Sequence, residues 1–96
     1  MKNMDVDYVI RLTISVYDLT EGWGEKSLLK LKVREAATAV LKNFILFLDN
    51  PSGEEEGELK KCLNEIEEAL EWARREKVIS RKNFVFLREE YKRFEN

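Results

Sequence analysis

The residue types able to do chemistry are few in this chain, and their absence narrows the field first. There is no histidine and only one cysteine, Cys62. Without an imidazole there is no His-based general acid–base pair, no Cys–His dyad and no Glu-x-x-His di-iron site. One thiol cannot assemble a usual zinc ligand set. Cys62 falls on the apolar stripe of its segment, where a small buried hydrophobe is expected rather than a nucleophile. The acidic run "EEEGE" (Glu54 to Glu58) could hold a hard cation loosely, but acids are also what the start of a helix favours. "GWG" (Gly22 to Gly24) lacks the preceding strand and the Lys-Ser/Thr of a phosphate-binding loop. The expectation is a non-enzyme, with no cofactor, no metal and no small-molecule substrate.

What remains is surface chemistry. "EKSLLKLKVRE" places Lys26, Lys30, Lys32 and Arg34 within nine residues. Lys26, Lys30 and Arg34 share one face by i,i+4 spacing, so they are candidates for contact with phosphate backbone or an acidic partner. The plain alternative is a solvated basic helix face. No aromatic interleaves this run to stack bases, and the chain carries 17 basic against 19 acidic residues, net −2.

The elements that must carry these residues follow from periodicity. Leu59, Cys62, Leu63, Ile66, Ala69, Leu70 and Ala73 follow the i, i+3, i+4, i+7 rule over about 54–77. Ser52 with Glu55 reads as a capping box. Acids crowd the first turn and bases the last, as the dipole prefers. Phe84, Leu87, Tyr91 and Phe94 mark another helix over about 81–95. Its phase does not continue the previous stripe, because Lys77 and Ser80 stand where apolar residues would fall. Ser80 as N-cap, with Ile79 and Phe84 as a hydrophobic staple, predicts a turn at Val78-Ile79-Ser80 and an αα-hairpin.

Upstream, about 26–48 carries two apolar stripes. One runs Leu29, Val33, Ala36, Val40, Phe44, Phe47; the other runs Ala37, Leu41, Ile45, Leu48. Together they make a face wider than one neighbour needs. "LDNPSGEE" ends it with turn formers. The first segment, "YVIRLTISVY", reads by alternation as a strand and by Val9, Leu12, Val16, Leu19 as a helix. A lone strand among helices would leave its backbone unpaired, so a helix over about 5–19 is expected, closed by Gly22. One domain over 1–96 results: an all-α, antiparallel up-down-up-down four-helix bundle. A chain of this length buries roughly 65% of its unfolded surface, enough for one core.

The remaining composition sets the surroundings. Hydrophobic residues are 44% of the chain, which excludes disorder. The longest apolar stretch, "AATAVLKNFILFL", is too short to span a bilayer, and no signal peptide is visible. A single cysteine suits a reducing, cytoplasmic compartment. Abundant Lys, Glu and Arg without Gln resemble thermophile composition. Trp72 lies off its stripe, Val85 and Phe86 flank theirs, and Phe44 sits on the wide face of the second helix. Self-association is therefore expected, with Phe44, Trp72 and Phe86 as interface candidates.

The runs "YDLTEGWGEKSLLKLKVREAATAVLKNF" and "ALEWARREKVISRKNF" resemble a small bacterial four-helix-bundle family. It comprises proteins encoded in 23S ribosomal RNA intervening sequences and the accessory variability determinants of diversity-generating retroelements. The shared features are an "L-T" helix end before a Gly-containing loop, a basic-then-alanine second helix, and an "A-R-x-x-K-V-I-S" turn. They extend over about residues 8–95. The resemblance implies homopentamers and, in the accessory branch, a basic surface for reverse transcriptase and RNA. The functional expectation is a homo-oligomeric RNA- or reverse-transcriptase-associated adaptor. The alternative is a scaffold oligomer that binds only protein.

Overall fold

A computed structural model describes residues 4–24 and 27–95. Within them the chain forms four α-helices and no strand: α1 (Val6–Thr20), α2 (Ser27–Asp49), α3 (Gly53–Arg75) and α4 (Arg81–Lys92). A 3-10 turn, Glu21–Trp23, follows α1, and another, Arg93–Glu95, extends α4. Each helix packs on the next in an up-down-up-down bundle, with α4 returning to α1. The bundle measures 39 × 22 × 19 Å. The first segment is helical, as its lack of a strand partner requires.

The stripes read from the sequence form one core. Val9, Leu12 and Val16 of α1 meet Leu29, Val33, Val40 and Phe44 of α2, Leu59, Ile66 and Leu70 of α3, Phe84, Leu87 and Tyr91 of α4, and Phe94 of the 3-10 turn that follows it. Aromatic packing fixes the lower half. Phe94 meets Phe44 edge-on at 5.6 Å and stacks on Tyr91 at 6.0 Å, geometries that ring quadrupoles favour. The bundle closes where Arg93 donates to Tyr8 Oη at 3.1 Å and lies over the Tyr8 ring.

Helix starts follow their caps. Asp5, Ser52 and Ser80 each accept, through a side-chain oxygen, the backbone N–H three residues on. Each cap satisfies a donor that the helix cannot. The α3–α4 turn has no Gly or Pro, yet it closes as a Schellman motif. Val78 N–H donates to Ala73 O and Lys77 N–H to Arg74 O. Lys77 takes the left-handed position, φ 60°, where glycine normally stands. Ile79 and Phe84 are both buried beneath it.

Gly22 does not close α1, contrary to expectation. The helix runs one residue further than Leu19, tightens into the 3-10 turn containing Gly22, and reverses at Gly24 with φ +44°. The reason lies in the last carbonyls. Tyr17 O accepts from both the Thr20 hydroxyl and the Arg34 guanidinium, so no left-handed residue is needed at position 22 to satisfy it.

Candidate functional site

The four basic candidates of the second helix do not form one patch. Arg34 is built into the bundle. Its Nε donates to Thr20 Oγ1 at 2.7 Å, and its Nη2 donates to Tyr17 O at 2.9 Å and to the Glu21 carboxylate at 3.0 Å. The guanidinium also lies 4.6 Å from the Tyr17 ring centroid. These contacts tie the end of α1 to α2, and Thr20 beneath them is buried. Arg34 therefore does not face outward as i,i+4 spacing suggested. Its hydrogen bond, reinforced by the charges of Lys30 and Arg34, holds the exposed Glu21 carboxyl below its usual pKa.

Lys30 makes a long contact, 3.4 Å, to Glu21 O and is partly covered. Lys32 is exposed, on the opposite flank of α2 beside α3. Lys26 lies outside the described residues. Of the expected set, Lys32 alone is a free surface cation among the described residues.

The apolar candidates divide as well. Phe44 is 0% exposed, locked against Phe94. It offers a partner nothing without opening the core, so it belongs to the fold and not to an interface. Trp72 is half-buried against the core, at the rim of an open groove of about 620 Å³ between α2 and α3. Ala36, Ala39 and Ala69 floor that groove; Lys32, Glu35, Glu65, Glu68 and Arg75 wall it. Phe86 is 48% exposed on α4.

A larger apolar surface lies elsewhere. Ile10, Ile14 and Tyr17 share the outer face of α1 at i, i+4, i+7 spacing, and all are exposed. Tyr17 Oη hydrogen-bonds Thr38 Oγ1 at 3.1 Å. Carried along the antiparallel pair, that contact sets Ile14 opposite Leu41 and Ile10 opposite Ile45. Ile45 and Leu48 are exposed, and Leu41 is half-buried. The second stripe of α2 thus joins the outer face of α1. The signal was present in the sequence as the excess width of α2. Ile10 and Ile14, which supply part of the alternation that reads as a strand in the first segment, are the same surplus on α1; Val16, the next member of that alternation, is buried in the core.

Cys62 is buried, and Asn43 Nδ2 donates to its Sγ at 3.2 Å. Burial, and secondarily the Glu65 and Glu58 charges, push the thiol pKa up, away from the thiolate that reactivity needs. Among the described residues, no group of three His, Cys, Asp or Glu side chains could hold a metal ion. No described helix is long and apolar enough to cross a membrane. No family model, no curated protein and no solved structure significantly matches the chain.

Proposed function

We propose that this chain is a non-enzymatic, homo-oligomeric interaction protein. On its resemblance to the intervening-sequence and accessory-determinant proteins, it serves as an RNA- or reverse-transcriptase-associated adaptor and assembles as a pentamer. The observation that carries self-association is the uncovered apolar face of α1 and α2. Five of its side chains, Ile10, Ile14, Tyr17, Ile45 and Leu48, are each 38% to 54% exposed. At about 200 Å² per large side chain they present on the order of 450 Å² of apolar surface. Burying that area on two copies removes roughly 900 Å² of apolar surface, the share expected of a standard interface of about 1,600 Å². A second copy is the occupant argued from this match. The buried free thiol fits a reducing, cytoplasmic setting.

Light scattering at micromolar concentration tests the reading. The mass should lie well above the 11.4 kDa of one chain. The double variant Ile14→Lys/Ile45→Lys should return it to one chain with helicity unchanged, since both side chains are exposed. A monomeric wild type would end the oligomer reading. Loss of helicity in the variant without a wild-type assembly would place these residues in the core instead.

A further inference from the structure

The open groove of about 620 Å³ between α2 and α3 carries its charges in a particular order. Asn43 of α2 reaches Cys62 of α3, which sets the register of this antiparallel pair. Carried along it, Lys32 stands level with Ala73 and Glu35 with Leu70. Arg75 therefore lies within a turn of Lys32 across the groove, and Glu68 within a turn of Glu35. Both walls pass from cation to anion in the same direction, and Glu65 extends the anionic end. Like charge faces like at each end, so the walls cannot neutralise one another. Nor do they pair along one helix. Among the described residues, Lys32, Glu35, Glu65, Glu68 and Arg75 make no ion pair. Elsewhere the helices use the ordinary arrangement, as in Glu56–Lys60 and Glu71–Arg74.

Between the two poles the surface is apolar. Trp72 packs against the core and leaves part of its side chain on the groove. Ala36, Ala39 and Ala69 floor it, and their small side chains keep it open. On α3, Trp72 stands about one turn from Arg75 on one side and from Glu68 on the other. Those two charges are attached about 10 Å apart along the helix axis, at about 1.5 Å per residue. Long side chains leaning inward shorten that span. The volume is that of a small-molecule site.

We infer that this groove binds a lysine-type zwitterion, an ω-ammonium carboxylate. The ammonium lies among Glu35, Glu65 and Glu68, the methylene chain along Trp72 and the alanines, and the carboxylate between Lys32 and Arg75. With bonds of about 1.5 Å, lysine holds its carboxylate about 7 Å from its ε-ammonium, a span that the inward-leaning side chains meet. The Trp72 ring adds attraction for the ammonium, and Arg75 suits a carboxylate through two parallel hydrogen bonds. Two sources carry this group: free lysine, and a lysine at the C-terminus of another chain. Free lysine has an α-ammonium beside its carboxylate, which Lys32 and Arg75 repel. A C-terminal lysine, acylated at that nitrogen, has no such charge and is the better fit. A polycation would meet the cationic end and a polyanion the anionic end, so neither suits the groove. The inference goes beyond self-association and uses the flank of α2 turned away from Ile45 and Leu48.

The emission of Trp72 tests it, in a Trp23→Phe background that leaves one indole. Nα-acetyl-lysine with a free carboxylate and 6-aminohexanoate should each shift that emission and saturate, with a Kd of about 10 mM or below. Nα-acetyl-lysine amide, hexanoate and hexylamine each lack one pole. They should bind roughly 2- to 30-fold more weakly, the loss of two exposed ion pairs. Free lysine should also bind more weakly than its acetylated form. Glu65→Gln/Glu68→Gln should weaken 6-aminohexanoate by a similar factor and spare hexanoate; Lys32→Gln/Arg75→Gln should weaken it and spare hexylamine. All four side chains are exposed, so helicity by circular dichroism should not change. Calorimetry with the same ligands on the unsubstituted chain decides the matter if a variant fails to fold. Three results would overturn the site: no saturable change with 6-aminohexanoate at about 100 mM, ten times the expected Kd; hexylamine bound as tightly, which would leave only an acidic surface; or hexanoate bound as tightly, which would leave only a basic one. Free lysine bound more tightly than the acetylated form would refute the C-terminal source. Light scattering on the same samples keeps the readings apart: an intact assembly that binds no zwitterion refutes this inference and leaves self-association standing.

Discussion

Arg34 is the residue on which the sequence and the structure disagree most sharply, and its removal decides between them. Arg34→Ala deletes a charge-assisted hydrogen bond to the buried Thr20 hydroxyl, one to the Tyr17 carbonyl, an ion pair to Glu21 and a contact with the Tyr17 ring. A bond to a charged group contributes about 1.5 kcal/mol or more when its partner is buried. The ion pair contributes less, because the Glu21 side chain is 78% exposed. The carbonyl of Tyr17 keeps its bond from Thr20, which limits the loss further. A destabilisation of about 2 kcal/mol is expected, and these terms are not additive. Lys30→Ala removes only a 3.4 Å contact and should cost under about 0.5 kcal/mol. Urea denaturation reads the difference. With a slope of about 1.3 kcal/mol per molar, Arg34→Ala shifts the midpoint by about 1.5 M and Lys30→Ala by under about 0.4 M. Protein concentration must be held fixed, because assembly adds stability by mass action. Arg34→Lys keeps the charge but not the planar fork and should recover less than half the loss. Equal midpoints for Arg34→Ala and Lys30→Ala would return Arg34 to the solvated surface.

Tyr91 is buried, and its Oη has no hydrogen-bond partner among the described residues. Tyr91→Phe should therefore leave stability unchanged or raise it by up to about 1 kcal/mol; a loss of that size would show that the hydroxyl is satisfied. Burial pushes the Tyr91 pKa well above the ordinary value of 10.0. Its stability is thus complete below that value and drains as pH rises beyond it, so chemical denaturation above about pH 10 should show a steeper loss in wild type than in Tyr91→Phe. Lys77 occupies a left-handed position that costs an L-residue about 1–2 kcal/mol. After the extra entropy of an unfolded glycine, Lys77→Gly should raise stability by about 0.5 kcal/mol and Lys77→Val should lower it, both read from thermal melts. A Lys77→Gly variant less stable than wild type would mean the lysine side chain contributes contacts of its own.

The capping signals in this sequence are strictly local, and the structure follows them; the stop signal at Gly22 is overridden because Arg34, from the next helix, satisfies the last carbonyls of α1. Ser52 and Ser80 cap the helices that their hydroxyls announced, and the phase break between Ala73 and Phe84 is a true turn. The Schellman closure at Lys77 carries no sequence mark, because the residue that adopts the unusual φ is not glycine. Its position is set by Val78 and Ile79, which must turn inward together. Phe44 lies in the core and not at an interface for a related reason. A face wider than one neighbour needs says that some apolar residues are left over, but not which. Phe94, fifty residues away, claims Phe44, while Ile45 one position on is left outside. Arg34 shows the limit of spacing rules in the other direction. The i,i+4 relation to Lys30 is real, but α1 ends beside Arg34 and not beside Lys32, and no periodicity within α2 encodes where a neighbouring helix stops.

The face proposed for self-association, Ile10, Ile14, Tyr17, Ile45 and Leu48, lies on the α1–α2 hairpin and is apolar. Excluded salts such as sulfate should therefore strengthen contacts made through it. An assembly held by charged side chains should instead weaken as the same salts screen them. Light scattering across a sulfate series separates the two. A mass that falls as sulfate rises would place the contact on charged residues and not on this face.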